Sequence, residues 1–314
     1  MRIDCHVHVS ALTAAHGSMS RQILRSLPFR FMRWRLGITG EDAQTEAAIA
    51  AKLVQVLSET DQLDAAVILA FDAVYDPDGS PNPSKTNLHV TNDYVIDLCA
   101  RHPKMLFGAS VHPYRKDAIQ ELERCVKAGA VLLKWLPIVQ DIEPAHPRCI
   151  PFYEALAHFG LPLLSHTGGE KTLPNINPNV MDPAQLLPAL KCGVKVIAAH
   201  CGTRSTGAET DYLPTFLNMA RDHEHLYGDT AALCLPTRSY AFEKLLADPI
   251  ARKKLVHGSD WPVISIPPAM TIGLRNTIRA FADRNWLRRD VTLKKLLGFD
   301  EAYFNRAATI LRLP

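Results

Sequence analysis

No apolar run in this sequence approaches the roughly 20 residues that span a bilayer, so no transmembrane helix is expected. The N-terminus lacks a basic region followed by an apolar stretch and a cleavage site, so no signal peptide is expected either. Charge of one sign is scarce. The net charge is only +3, which gives no general argument for nucleic acid or a membrane surface as a partner. The seven cysteines are scattered, odd in number and without a CxxC pair. That pattern points to a reduced, cytoplasmic protein. There is no internal repeat, low-complexity tract or Pro/Gly/Ser linker, so a single domain is expected over residues 1–314. What is present is ordinary globular composition, 47% apolar and 21% charged over 314 residues, with ample material for a large core.

Eight short β-type runs recur: 2–9, 64–71, 104–111, 130–136, 161–166, 194–200, 225–230 and 254–260. Helical patterns lie between them, at 41–60, 91–102, 117–129 and 151–160, the last two ending on Gly129 and Gly160. Strands alternating with helices imply a parallel sheet, and eight such units imply an α/β fold of the (β/α)8 TIM-barrel type. The competing open, doubly wound sheet would usually carry a Gly-rich first turn. No GxGxxG is present. Residues from about 268 to 314 read as helices that close the barrel.

One segment is biased. "RQILRSLPFRFMRWR", residues 21–35, carries five arginines among large apolar residues. It reads as part of an insertion, residues 10–40, that packs its apolar face on the domain and solvates its arginines. A lid over an active site is a special case of that reading, and an amphipathic membrane contact competes with it.

Polar residues fall at the strand ends. In "RIDCHVHV", alternation puts Asp4, His6 and His8 on one face, expected to be the barrel interior, and Ile3, Cys5, Val7 and Val9 on the other. Later strands end on His166, His200 and Asp260, and "AVLLKWL" carries Lys134. Barrel active sites lie at the C-terminal ends of the strands. Taken singly, each residue has an ordinary explanation: a hydrogen-bonded histidine, a snorkelling lysine, a capping aspartate. Together they supply imidazoles and a carboxylate suited to Zn²⁺, with Mn²⁺, Fe²⁺, Co²⁺ or Ni²⁺ as alternatives.

HxH on the first strand, Lys on the fourth, His on the fifth and sixth and Asp on the eighth resemble the amidohydrolase superfamily. "SVHP" and "GSDWP" are most similar to its amidohydrolase-2 branch. The resemblance implies a metal-dependent hydrolase. His6, His8, His166 and Asp260 would be metal ligands, and Asp260 would also accept the proton of the attacking water. His200 would be a ligand of a second ion or an acid/base that orients the substrate. Lys134 would be carboxylated and bridging if two ions are present, which leaves one ion versus two open. The expected substrate is a small carboxylate-bearing ester, lactone or amide. Non-oxidative decarboxylation of an aromatic or unsaturated acid is the alternative within the superfamily, and a non-catalytic metal-binding barrel is the alternative outside it. His112, Arg204 and Trp261 are candidate substrate contacts, whereas Trp135 is expected in the core. Homo-oligomerisation is left open.

Overall fold

A computed structural model describes residues 1–266 and 272–313. Eight parallel strands form one sheet: β1 (Ile3–His8), β3 (Ala65–Leu69), β5 (Met105–Ala109), β6 (Leu132–Trp135), β7 (Leu163–His166), β8 (Val196–Ala199), β9 (Leu226–Asp229) and β10 (Leu255–Val256), in that spatial order. The first and last strands meet through Cys5 N–H to His257 O, Asp260 N–H to His6 O and His8 N–H to Trp261 O, at 2.9, 2.9 and 2.7 Å. Those three bonds close the TIM barrel.

The expected helices form over Asp42–Ser58, Asn92–Arg101, Ala118–Lys127 and Ile150–Phe159. Each buries an apolar stripe against the sheet; in Ala118–Lys127 it is Ala118, Leu122, Cys125 and Val126. Gly160 ends its helix at φ 61°, the left-handed cap that costs glycine least. C-terminal helices follow at Leu274–Ala282, Trp286–Leu296 and Glu301–Ile310. The beginning of the expected 268–314 helical region and Pro314 lie outside the described residues. No helix among the described residues is long and apolar enough to cross a membrane.

The inner face of β1 differs from expectation. Ile3 and Cys5 pack inside the barrel with Val67, Leu132, Leu164 and Ile197. Asp4 is on the other face, paired in register with Ala66, and its carboxylate accepts from the backbone N–H of Ser259 at 3.0 Å. The reason is a β-bulge. The register runs from Asp4↔Ala66 to Val7↔Ile68, three steps on one strand against two on its neighbour. An extra residue inverts the parity of everything before it, so Cys5 and His6, although consecutive, both reach the interior. Val7 and Val9 do face the helix layer, as alternation predicts.

The chain between β1 and its first barrel helix stays at the C-terminal end of the strands. It forms β2 (Gly17–Met19), antiparallel to β4 (Leu88–Val90), and helices Arg21–Arg25 and Leu27–Leu36. Ser20 and Ser26 cap these helices, accepting from the N–H groups of Ile23 and Phe29. Ile23, Phe29 and Met32 are buried, while Leu27, Phe31 and Trp34 are exposed.

Candidate active site

The strands deliver their terminal side chains to one place. His6 Nε2 lies 3.1 Å from His8 Nε2 and 3.4 Å from Asp260 Oδ1, and His8 Nε2 lies 3.2 Å from the same oxygen. One ligand atom from each of the three residues lies within 4.8 Å of the others. Lys134, fully buried on β6, brings Nζ to 3.1 Å from His6 Nε2. His166, at the end of β7, is buried, and its Nε2 has no hydrogen-bond partner. An orphaned buried nitrogen is uncommon in a folded protein and calls for an explanation, such as an ion.

The tautomers are set from behind. His6 Nδ1 lies 2.7 Å from Asp229 Oδ2, so the ring donates there and its Nε2 lone pair faces His8 and Asp260. This is the carboxylate–imidazole pairing common behind metal ligands. Asp229 is held in turn by the N–H groups of His200 and Ala231, at 2.8 and 3.1 Å. His200 Nδ1 donates to Ala231 O at 2.8 Å. Its neutral ring therefore keeps Nε2 as an acceptor, suited to a ligand or base and not to hydrogen-bond donation.

Burial favours the uncharged form of the His6, His166 and His200 rings. It lowers His200 to about 3, with the Arg238 charge acting in the same direction. It holds His166 well below its ordinary value, aided by His200 and Lys134. Burial also lowers Lys134 to about 8, despite Asp229 and Asp260. Burial alone would raise Asp260, but the surrounding His6, His8 and His200 outweigh it and keep this carboxyl well below the usual range. The result is an ionised carboxylate among nitrogen donors. That donor chemistry fits a divalent cation.

Backbone shape contributes. His200 and Asp260 follow their strands in left-handed conformations, with φ 60° and 64°. Such conformations are costly for residues with a side chain and tend to persist where surrounding structure enforces them, often at functional sites. Gly258 serves a close approach: a Cβ there would lie 2.9 Å from the Cβ of His6.

Several expected contacts lie elsewhere. His112 is fully buried and its Nε2 pairs with Gln140 O at 2.9 Å. Arg204 stacks its guanidinium over the Tyr240 ring, 5.0 Å from the centroid. Trp261 is a core residue, and Pro262, Val263 and Ile264 line the cavity after it. Trp135 is buried against Phe152 and Tyr153, as alternation predicts. Two acidic residues escaped the sequence reading. Asp229 ends β9 just as Asp260 follows β10, so its strand-end position was a usable signal. Glu170, in "HTGGEK", is buried in the cavity wall, with its carboxylate accepting from the N–H groups of Thr172 and Leu173. Only the three-dimensional path of its loop reveals that one.

A family profile described as Amidohydrolase matches residues 3–287, nearly the whole chain. The chain belongs to the amidohydrolase family. No curated protein matches it significantly in sequence. Among solved structures, this amidohydrolase resembles an uncharacterised TIM-barrel protein from Bordetella bronchiseptica, at 15% identity and TM-score 0.61, covering 95% of this chain and 99% of that one. It also resembles a probable 2-pyrone-4,6-dicarboxylic acid hydrolase from Acinetobacter baumannii, with citric acid bound, at 16% identity and TM-score 0.54, covering 95% and 99%. A dihydroxybenzoic acid decarboxylase from a Polaromonas species, with bound manganese and 2-nitroresorcinol, aligns at 14% identity and TM-score 0.52, covering 94% and 96%. At these identities the likeness speaks for the barrel and not for the reaction.

Proposed function

We propose that this amidohydrolase is a metal-dependent hydrolase that adds water across the carbonyl of an ester, lactone or amide. The observation that carries the reading is the convergence of His6 Nε2, His8 Nε2 and an Asp260 oxygen, beside the unpartnered Nε2 of His166. His6, His8 and Asp260 would hold a divalent ion, zinc being the best match to this nitrogen and oxygen set. His166 would complete the donors. When bound, such an ion polarises a carbonyl and lowers the pKa of water from about 16 towards 7. Lys134 would serve as an oxygen ligand after CO₂ addition to its amine. The burial that lowers its pKa favours the neutral amine which that addition requires.

The chain's own groups supply the rest. Asp260, ionised and held by its backbone bond to His6 O, accepts the proton of the attacking water. Asp229 holds His6 in the required tautomer. His200 Nε2, an acceptor with its Nδ1 committed, takes a proton or a metal. A merely metal-holding barrel would need Asp260 as a ligand but not as a base, and Asp260→Asn separates the two.

The test combines elemental analysis with turnover. Protein purified without added metal or chelator should carry a transition metal near one or two equivalents, and the ¹³C NMR spectrum of folded protein loaded with ¹³C-bicarbonate should show a carbamate carbon that Lys134→Ala removes. The metal-loaded protein should hydrolyse some member of a panel of lactones and esters. Metal well below stoichiometry, with none regained on incubation, would remove the reading. Turnover only of aromatic acids would replace hydrolysis with decarboxylation.

A further inference from the structure

Above the metal-ligand cluster lies a cavity of about 320 Å³. Its roof is Ile23, Phe29 and Met32 from the insertion, and its sides include Phe71, Leu235 and Trp286. Its only acidic lining residues are Asp260 and Glu170, and no lysine or arginine lines it among the described residues. Residues 267–271, outside the described set, read Pro-Pro-Ala-Met-Thr and add no charge.

The nearby cations are committed elsewhere. Arg238 donates to Thr203 O, Thr203 Oγ1, Gly169 O and Ser205 Oγ. Lys134 lies beside His6, Arg204 is stacked on Tyr240, and Lys171, between the lining residues Glu170 and Thr172, pairs with Glu209 at 3.2 Å. A carboxylate in the substrate's distal part would therefore leave water for an apolar wall, with the Glu170 carboxyl as its neighbour, and find no cation. Burying a charge without a partner is strongly unfavourable. Hydrocarbon in the same place is favoured.

We infer that the substrate is an uncharged ester or lactone with a hydrocarbon tail that fills this chamber, and not a dicarboxylate. The inference rests on the hydrolase reading above. The reaction balances without a further reactant: the carbonyl carbon gains the hydroxyl of water, the C–O bond to the alkoxy oxygen breaks, and that oxygen takes the proton. The product acid ionises at the metal-ligand end of the chamber, and the alcohol carries no charge.

The test reads binding, so it does not depend on turnover. Trp286 lines the cavity, and its emission can be titrated in metal-stripped protein, with Trp286→Phe identifying the signal. The probes are γ-lactones bearing ethyl to octyl tails, each matched by an analogue whose tail ends in a carboxylate. Affinity for the uncharged series should tighten about three- to fourfold per methylene until the chamber is full. Carboxylate-tipped analogues should bind at least about tenfold more weakly. Phe29→Ala and Leu235→Ala, on different walls, should each flatten the chain-length dependence. Glu170→Gln should narrow the gap between the two series. Affinity independent of tail length, or equal to or better for the carboxylate-tipped series, overturns the inference. A preference for hydrocarbon in a protein that takes up no metal would instead count against the hydrolase reading alone.

Discussion

The floor and the roof of the chamber are built from opposite materials. The floor is the ends of barrel strands: His6 and His8 on β1, Lys134 on β6, His166 on β7, with His200 one residue beyond β8 and Asp260 four beyond β10. Each side chain is aimed by a hydrogen-bonded ladder, and several are aimed again from behind, as Asp229 aims His6. The roof is an excursion of chain that owes its place to two serine caps, a small antiparallel pair and apolar contact. Its inward residues carry no charge. On the proposed reading the comparison teaches a division of labour: the reacting groups sit on the barrel strands, and the apolar surface that would select the substrate sits on an added segment.

The sharpest way to break this comparison is to disarm the floor and leave the roof alone. Asp260→Asn keeps a ligand oxygen and the shape of the residue but removes the proton acceptor. It should lower kcat about 10²–10⁴-fold while metal content by elemental analysis stays close to that of the parent. Unchanged turnover would mean the base is elsewhere. A smaller effect is expected one residue further back. Asp229→Asn replaces the carboxylate partner of His6 Nδ1 with an amide that can present NH₂ in its place. Metal affinity should fall about 10–100-fold, measured by competition with a chelator, and Trp286-detected lactone binding in metal-stripped protein should be unaffected.

The floor should also reveal itself through pH. His200 is held neutral with its pKa lowered to about 3 from 6.5. Between those values the unfolded chain binds a proton that the folded chain refuses, so stability is fully present above about pH 6.5 and is lost as pH falls towards 3. Buried His6 and His166 shift in the same direction. Chemical denaturation of metal-stripped protein should show this decline, and His200→Asn should make it shallower. A stability curve flat between pH 6.5 and 4, in parent and variant alike, would mean these rings are not buried uncharged.

Much of the floor was legible in the sequence because its information is local. A strand of period two that ends on His or Asp declares both its face and its end, and eight such strands require that the ends meet. The order His6, His8, Lys134, His166, His200, Asp260 was readable on those grounds. The inner face of β1 was misread because a bulge leaves no mark in the residue pattern, and it is set by how β1 registers on β3. The roof was legible only as a biased insertion. Nothing in "RQILRSLPFRFMRWR" says that Phe29 and Met32 turn inward while Phe31 and Trp34 remain accessible, because that depends on where the barrel rim lies. Glu170 was invisible for the same reason.

The smallest expected effect sharpens the comparison at its edge. Arg204 follows the strand-end His200 by four residues and looked from sequence like a fork for a substrate carboxylate. Its guanidinium instead stacks on Tyr240, whose hydroxyl is tied to Asp211 at 2.7 Å and lies 3.3 Å from the backbone N–H of Arg204. An arginine engaged in this way braces a loop, and a partly exposed stack of that kind is worth about 0.5–1 kcal/mol. Arg204→Ala should therefore cost a little stability and change KM for an uncharged ester by less than about twofold, as expected for a substitution off the chamber wall. A tenfold rise in KM confined to carboxylate-bearing substrates would put Arg204 back in the site and make the roof, for all its hydrocarbon, an incomplete account of what the chamber selects.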